Sequence, residues 1–163
     1  MTKMWLQCRE CKKEYESSFK YICEECFGPL DVKYQYSNIS KNAFSGREHT
    51  YWRYYELLPI QNKSNIVSIN AGMTPLVKAE KLGQKLGLNN LYIKNDSVNP
   101  TFSFKDRPAG IAVSKAKEFG LSAVGCASTG NLASATAAHA AKGGFPCYVF
   151  APSDIEHAKI AQA

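Results

Sequence analysis

The chain has 163 residues, 45% of them hydrophobic, 21% charged and 12% aromatic, and a formal net charge of +6. About one domain's length with that apolar content supports a buried core, which excludes disordered, collagen-like and fibrous classes. No apolar run approaches the ~20 residues that cross a bilayer, and the segment from Met1 to Cys8 has no stretch fit for a secretory signal, so a cytoplasmic protein with no membrane partner is expected.

The positive excess is spread thinly. Residues 1–70 hold 10 basic and 8 acidic side chains and residues 71–163 hold 10 and 6, with no basic block of the kind that marks a nucleic-acid face. Aromatic residues are less even: 12 of the 19 precede residue 71, so two structural units are expected to meet near Gly72.

The first unit is set by cysteine. Cys8 and Cys11, then Cys23 and Cys26, form two CxxC pairs separated by 11 residues, and four thiolates make a closed tetrahedral site suited to structural Zn²⁺. Glu14-Tyr15-Glu16 and Leu30 to Tyr34 alternate like short strands, with Gly28-Pro29 as a turn, so residues 1–36 read as a zinc ribbon. Two disulfides are the competing reading, disfavoured in a reducing compartment; a redox CxxC would expect a single pair in a βαβ setting. Residues 37–70 form a connector. Ser37 to Ser45 is polar and loop-like, and Tyr51 to Leu58 forms about two helical turns that stop before Pro59. Its aromatic cluster could stack on bases, but packing the ribbon against the next unit is the better reading.

Residues 71–163 alternate between strand and helix. Strands are expected at Thr74–Val77, Leu91–Lys94, Ala123–Ala127 and Pro146–Ala151, the last two buried. Helices are expected at Ala79–Leu86, at about Arg107–Phe119 with Ala109, Ala112, Ala116 and Phe119 on one face, from Asn131 to about Lys142, and from Asp154 onward. This order predicts an α/β fold with a parallel sheet and helices on both faces, and ligands in such sheets bind beyond the carboxyl ends of the strands. Loops 95–107 and 127–131 lie there. In the first, Lys105 has Phe102 and Phe104 before it and Asp106-Arg107 after it; a lysine in a partly apolar setting beside a cation can act as a nucleophilic amine, although any of the 16 lysines can be a solvated charge. The second, Ser128-Thr129-Gly130-Asn131, opens a helix, where free amides and the helix dipole favour an anion; ordinary capping is the alternative. Cys126 and Cys147 read as small core residues, His49, His139 and His157 as surface or core histidines, and Asp106 as a helix-start charge.

Asn99 to Arg107 followed by Ser128-Thr129-Gly130-Asn131 resembles the pyridoxal-phosphate enzymes of the tryptophan-synthase-β fold (fold type II), and within them the threonine synthase family. Thr74-Pro75-Leu76, Trp52 to Pro59 and the four-cysteine ribbon are similar to that family's pattern, so the resemblance runs from about Cys8 to the last residue. Phe102 stands where many members have Gly, and Leu132 where many have Thr. The resemblance implies that Lys105 holds pyridoxal 5'-phosphate as a Schiff base and shuttles protons, and that Asn131 bonds the cofactor's 3'-oxygen. It further implies that Ser128 and Thr129 bind the substrate carboxylate, and that Arg107 keeps the region cationic around phosphate. The implied reaction is a lyase conversion of O-phosphohomoserine and water to threonine and phosphate, in a full-length protein expected to be a homodimer. Members are well over twice this long, so the chain is expected to be an N-terminal fragment with an incomplete cofactor site. Cysteine or cysteate synthases, and a zinc-ribbon nucleic-acid module, are the alternatives.

Overall fold

The structure, a computed structural model, describes residues 3–36 and 39–163; Met1 and Thr2, at the head of the segment read for a signal, and Ser37 and Asn38, at the start of the expected loop, lie outside them. In the first unit β1 (Lys3–Cys8), β2 (Glu14–Glu16) and β3 (Leu30–Gln35) form an antiparallel sheet in the order β2-β1-β3. Trp5 faces Glu16 on one side and Lys33 on the other. The central strand, β1, is absent from the sequence reading, although Leu6 and Cys8 alternate inward along it. The turn falls at 24–26 and not at Gly28-Pro29, because Pro29 is drawn into a bridge with Ile22.

The connector carries 3-10 helices at Lys41–Phe44, within the stretch expected to be a loop, at Tyr51–Leu57 and at Lys63–Asn65; the second is kinked at Tyr54 and ended by extended Leu58 before Pro59. Tyr51 and Trp52 are buried with Ile60 and Ala71, against Leu58, Ile66 and Ile111. These rings therefore pack the connector onto the helix that carries Ile111. The ribbon reaches the same helix separately, through Phe19 against Phe119 with ring centroids 5.8 Å apart.

Beyond residue 71 the order is β4 (Leu76–Lys78), α1 (Glu80–Leu86), β5 (Tyr92–Lys94), α2 (Asp106–Glu118), β6 (Val124–Ala127), α3 (Asn131–Gly143), β7 (Cys147–Phe150) and α4 (His157–Ala161). β6 and β7 are parallel, as the alternation predicts. β4 and β5 are antiparallel, a departure from the expected parallel pairing: Ala79 N donates to Leu91 O at 2.9 Å, so the ladder continues beyond Lys78 and α1 is an excursion from a hairpin. α2 packs on α3, and α3 on β6 and β7. Among the described residues α3 is the helix that covers this sheet, so β7, expected to be buried, exposes Tyr148 and Phe150, while Cys126 and Cys147 are only half-buried. Along α2 the buried set is Asp106, Ala109, Gly110, Val113, Ser114 and Ala116. Ala112, expected inward, faces solvent, because the stripe that meets both α3 and the connector runs through Gly110 and Val113.

Gly110 is the closest approach in this core. A Cβ there would overlap Tyr51 Oη and lie 2.8 Å from His139 Cε1. Gly110→Ala is expected to cost about 1–3 kcal/mol through overpacking, read as a lower urea midpoint at unchanged slope.

Candidate functional site

Loop 95–105 is held by its polar atoms. Asn99 Oδ1 accepts from Gly72 N at 3.0 Å, and Asn99 Nδ2 donates to Asp96 O at 3.1 Å. Thr101 donates twice to Asp106, from N to Oδ2 at 2.8 Å and from Oγ1 to Oδ1 at 2.9 Å, and Ser103 Oγ accepts from Lys105 N at 3.2 Å. Asn99, Thr101, Ser103 and Asp106 are accordingly buried, while Phe102 and Phe104 point outward, 73% and 57% exposed. Phe102 sits at φ 59°, a left-handed conformation that a bulky side chain adopts only under constraint.

This inversion of the usual pattern sets the surroundings of Lys105. It is half-buried at the first turn of α2, with Nζ 5.0 Å from the centre of the Phe104 ring. Among the described residues it joins no ion pair. Arg107, in contrast, is fully engaged. Its Nε donates to Asp96 Oδ2 at 2.9 Å and its Nη2 to Asp96 Oδ1 at 2.8 Å, with Thr74 Oγ1 donating to the same carboxyl at 2.6 Å. Arg107 thus braces the loop against the segment just before β4. Arg107 brings the Asp96 carboxyl down to about 2, with Thr74 adding to the effect and burial opposing it.

The second motif opens α3. Ser128 N donates to Phe150 O at 3.1 Å, and Ser128 Oγ accepts from Gly130 N at 3.3 Å. Thr129, Gly130 and Asn131 are exposed, and no side chain caps the first-turn amides of α3. The capping alternative is therefore not the arrangement present. The first motif reaches α3 beyond the second: Pro100, Thr101 and Phe102 line a cavity of about 340 Å³ with Ser134, Ala137 and Ala138. Elsewhere on α3, His139 Nε2 lies 3.5 Å from Asp106 Oδ1. Asp106 is therefore a buried acceptor and not a solvated helix-start charge.

In the ribbon the Sγ atoms of Cys8, Cys11, Cys23 and Cys26 lie within 4.8 Å of one another. Cys8 and Cys26 are 3.4 Å apart, and Cys11 and Cys23 3.5 Å. Lys12 and Phe27, each one residue past a CxxC pair, share left-handed φ values of 64° and 57°, so the two pairs are presented by like turns. Tyr15, which sequence reasoning did not single out, has its hydroxyl 3.0 Å from Cys23 Sγ and accepts from Glu24 N at 3.1 Å. Burial opposes ionisation of Cys23, but Tyr15 and the Cys26 and Glu25 amides outweigh it and bring the thiol down to about 6.

Residues 67–163 match the family described as Pyridoxal-phosphate dependent enzyme, and the chain belongs to that family. Within it, the chain is 42% identical to a threonine synthase of Methanocaldococcus jannaschii, over 98% of this chain and 41% of that protein. It is 41% identical to one of Methanosarcina acetivorans, over 97% and 40%. The chain thus spans about two-fifths of the length of these relatives. Among solved structures, the processed form of threonine deaminase isoform 2 from Solanum lycopersicum superposes with a TM-score of 0.52 at 33% identity, covering 56% of this chain and 25% of that one. This neighbour and the parallel β6–β7 pair carry the fold type II assignment. No helix among the described residues is long and apolar enough to cross a membrane.

The brace has a pH signature. The Asp96 carboxyl lies near 2 when folded, below its ordinary 3.8, so its contribution is present above about pH 4 and is lost as pH falls through about 2. Asp96→Asn is expected to cost about 1–2 kcal/mol at pH 7, with the gap to wild type closing between about pH 4 and pH 2 in urea titrations.

Proposed function

We propose that the chain carries the lysine-bearing part of a pyridoxal-phosphate-dependent threonine synthase, which converts O-phosphohomoserine and water to threonine and phosphate. The observation that carries this reading is an amine outside any ion pair among the described residues, Lys105, presented at the start of α2, in a chain whose α3 opens with an uncapped first turn. The donor set fits the cofactor: one half-buried amine, one exposed amide at Asn131, and hydroxyls at Ser128 and Thr129.

When bound, pyridoxal phosphate supplies an electron sink for carbanion chemistry at the substrate. The chain's own residues do the rest. Lys105 Nζ holds the cofactor and, once released by substrate, takes up and returns protons. Phe104 lies against one side of the amine, its ring centre 5.0 Å from Nζ. Asn131 orients the cofactor through its side-chain amide. Ser128, Thr129 and the first-turn amides of α3 take the substrate carboxylate, where backbone N–H groups and the helix dipole converge. Arg107 acts on the substrate only through the loop that it braces.

The four thiolates hold one structural Zn²⁺. Zn–S bonds of about 2.3 Å place ligand sulfurs about 3.8 Å apart, close to the separations present. Four sulfurs leave no open position for water, so the metal staples residues 1–36 while 37–70 connect the ribbon to the cofactor-binding part, residues 71–163. Metal-binding thiols of this kind belong to a reducing cytoplasm.

Borohydride reduction in the presence of pyridoxal phosphate is expected to leave a pyridoxyl group on Lys105, located by mass spectrometry and absent from Lys105→Ala. The full-length protein is expected to release phosphate from O-phosphohomoserine; turnover of O-phosphoserine with sulfide or sulfite alone would overturn the substrate assignment. For the ribbon, metal analysis is expected to find one zinc per chain, lost in a Cys8→Ser, Cys11→Ser double variant. Chelation is expected to unfold the ribbon while the helical circular-dichroism signal of α2 and α3 persists.

A further inference from the structure

His139 and Asp106 are both 0% exposed, and neither imidazole nitrogen has a hydrogen-bond partner; the Tyr51 hydroxyl is a third buried polar atom without one. Two of the three, Tyr51 Oη and His139 Nδ1, flank one point. The vacant Cβ position of Gly110 overlaps Tyr51 Oη and lies 3.2 Å from His139 Nδ1, while Nε2 on the other side of the ring faces Asp106 Oδ1 at 3.5 Å. Buried polar groups are rarely left unpaired, and three together call for a reason.

We infer that His139 is a positioning residue for Lys105: its Nε2–H donates to Asp106, fixing the carboxyl that holds both the N–H and the hydroxyl of Thr101. The separation is a few tenths of an ångström beyond an ordinary N–H···O bond, a gap that a small rotation of the ring closes. Three acceptors face the ring: the Asp106 carboxyl, the Asp106 backbone carbonyl and the Val67 carbonyl. Burial lowers the His139 pKa against the pull of Asp106, so the imidazole is neutral and has a single N–H to give. Asp106 is the acceptor around which the loop's other donors are organised, and it takes that hydrogen. Asp106 immediately follows Lys105, and by accepting both polar hydrogens of Thr101 its carboxyl closes the loop 101–106, setting the backbone from which Lys105 projects. The tether spans 33 positions of sequence and links the N-terminus of α2 to the middle of α3. The helices that carry the two motifs thereby share one fixed point, and this function for the tether rests on the reading of Lys105 given above.

The test compares wild type with His139→Leu, which fills the volume without a donor, and His139→Gln, whose side-chain amide replaces Nε2–H. Without cofactor, amide hydrogen exchange over residues 99–106 is expected to be about tenfold faster in His139→Leu, to return toward wild type in His139→Gln, and to stay unchanged in the ribbon. Borohydride trapping of a pyridoxyl group on Lys105 should fall and recover in the same order. Unchanged exchange in His139→Leu, or equal loss in both variants, would overturn the inference, the second result showing that packing alone matters. If His139→Leu does not fold, imidazole ¹⁵N shifts of the wild type decide: the Nε2–H tautomer supports the tether and the Nδ1–H tautomer refutes it. Absence of trapping in wild type would count against the cofactor reading, leaving the exchange and tautomer results to judge the tether.

Discussion

A carboxyl group with no access to water, that of Asp106, sits where three segments of the chain converge. It accepts both polar hydrogens of Thr101 and faces His139 from α3, while one turn later Gly110 leaves room for Tyr51 from the connector. A buried polar group costs several kcal/mol unless its partners are in place. The loop before α2, the middle of α3 and the connector therefore have few ways to be arranged other than together. The hydrophobic cluster of Tyr51, Trp52, Ile60 and Ala71 closes over the same region and supplies area, while the carboxyl supplies direction.

Asp96 and Arg107 form a second anchor at the opposite end of the loop, tying it to Thr74 just before β4. Between the two anchors the backbone is fixed every second or third residue, by Asn99, Thr101 and Ser103. That spacing places Phe102 and Phe104 outside and leaves Lys105 as the cation of this loop not already committed to an acid. Electrostatics thus sorts the two neighbouring cations: one is locked into structure and the other remains available for chemistry.

Much of this was legible because it is local. Two CxxC pairs are read from spacing, α1 and α3 from the glycines that end them at Gly87 and Gly144, and the lysine and Ser-Thr-Gly-Asn loops from their residues alone. Properties settled between distant segments were not. The direction of β5 against β4 depends on a ladder bond between Ala79 and Leu91, and the inward face of α2 depends on where Tyr51 and His139 lie, which moved burial from Ala112 to Val113. β6 and β7 have the composition of buried strands, yet their exposure depends on what packs against them. Arg107 illustrates the same limit, since nothing local to it in the sequence shows its ion pair with Asp96, 11 residues away.

The loop that buries its hydroxyls and carboxyl while exposing its rings also divides the molecule by temperature. Hydrophobic stabilisation weakens on cooling, so the thinly covered contacts around β4, β5 and β7 loosen first in the cold. The segment from Asn99 to Asp106 is fixed mainly by hydrogen bonds and does not share that weakness. The geometry around Lys105 consequently leans less on apolar burial than the strands beside it do, and its response to chilling is set apart from theirs.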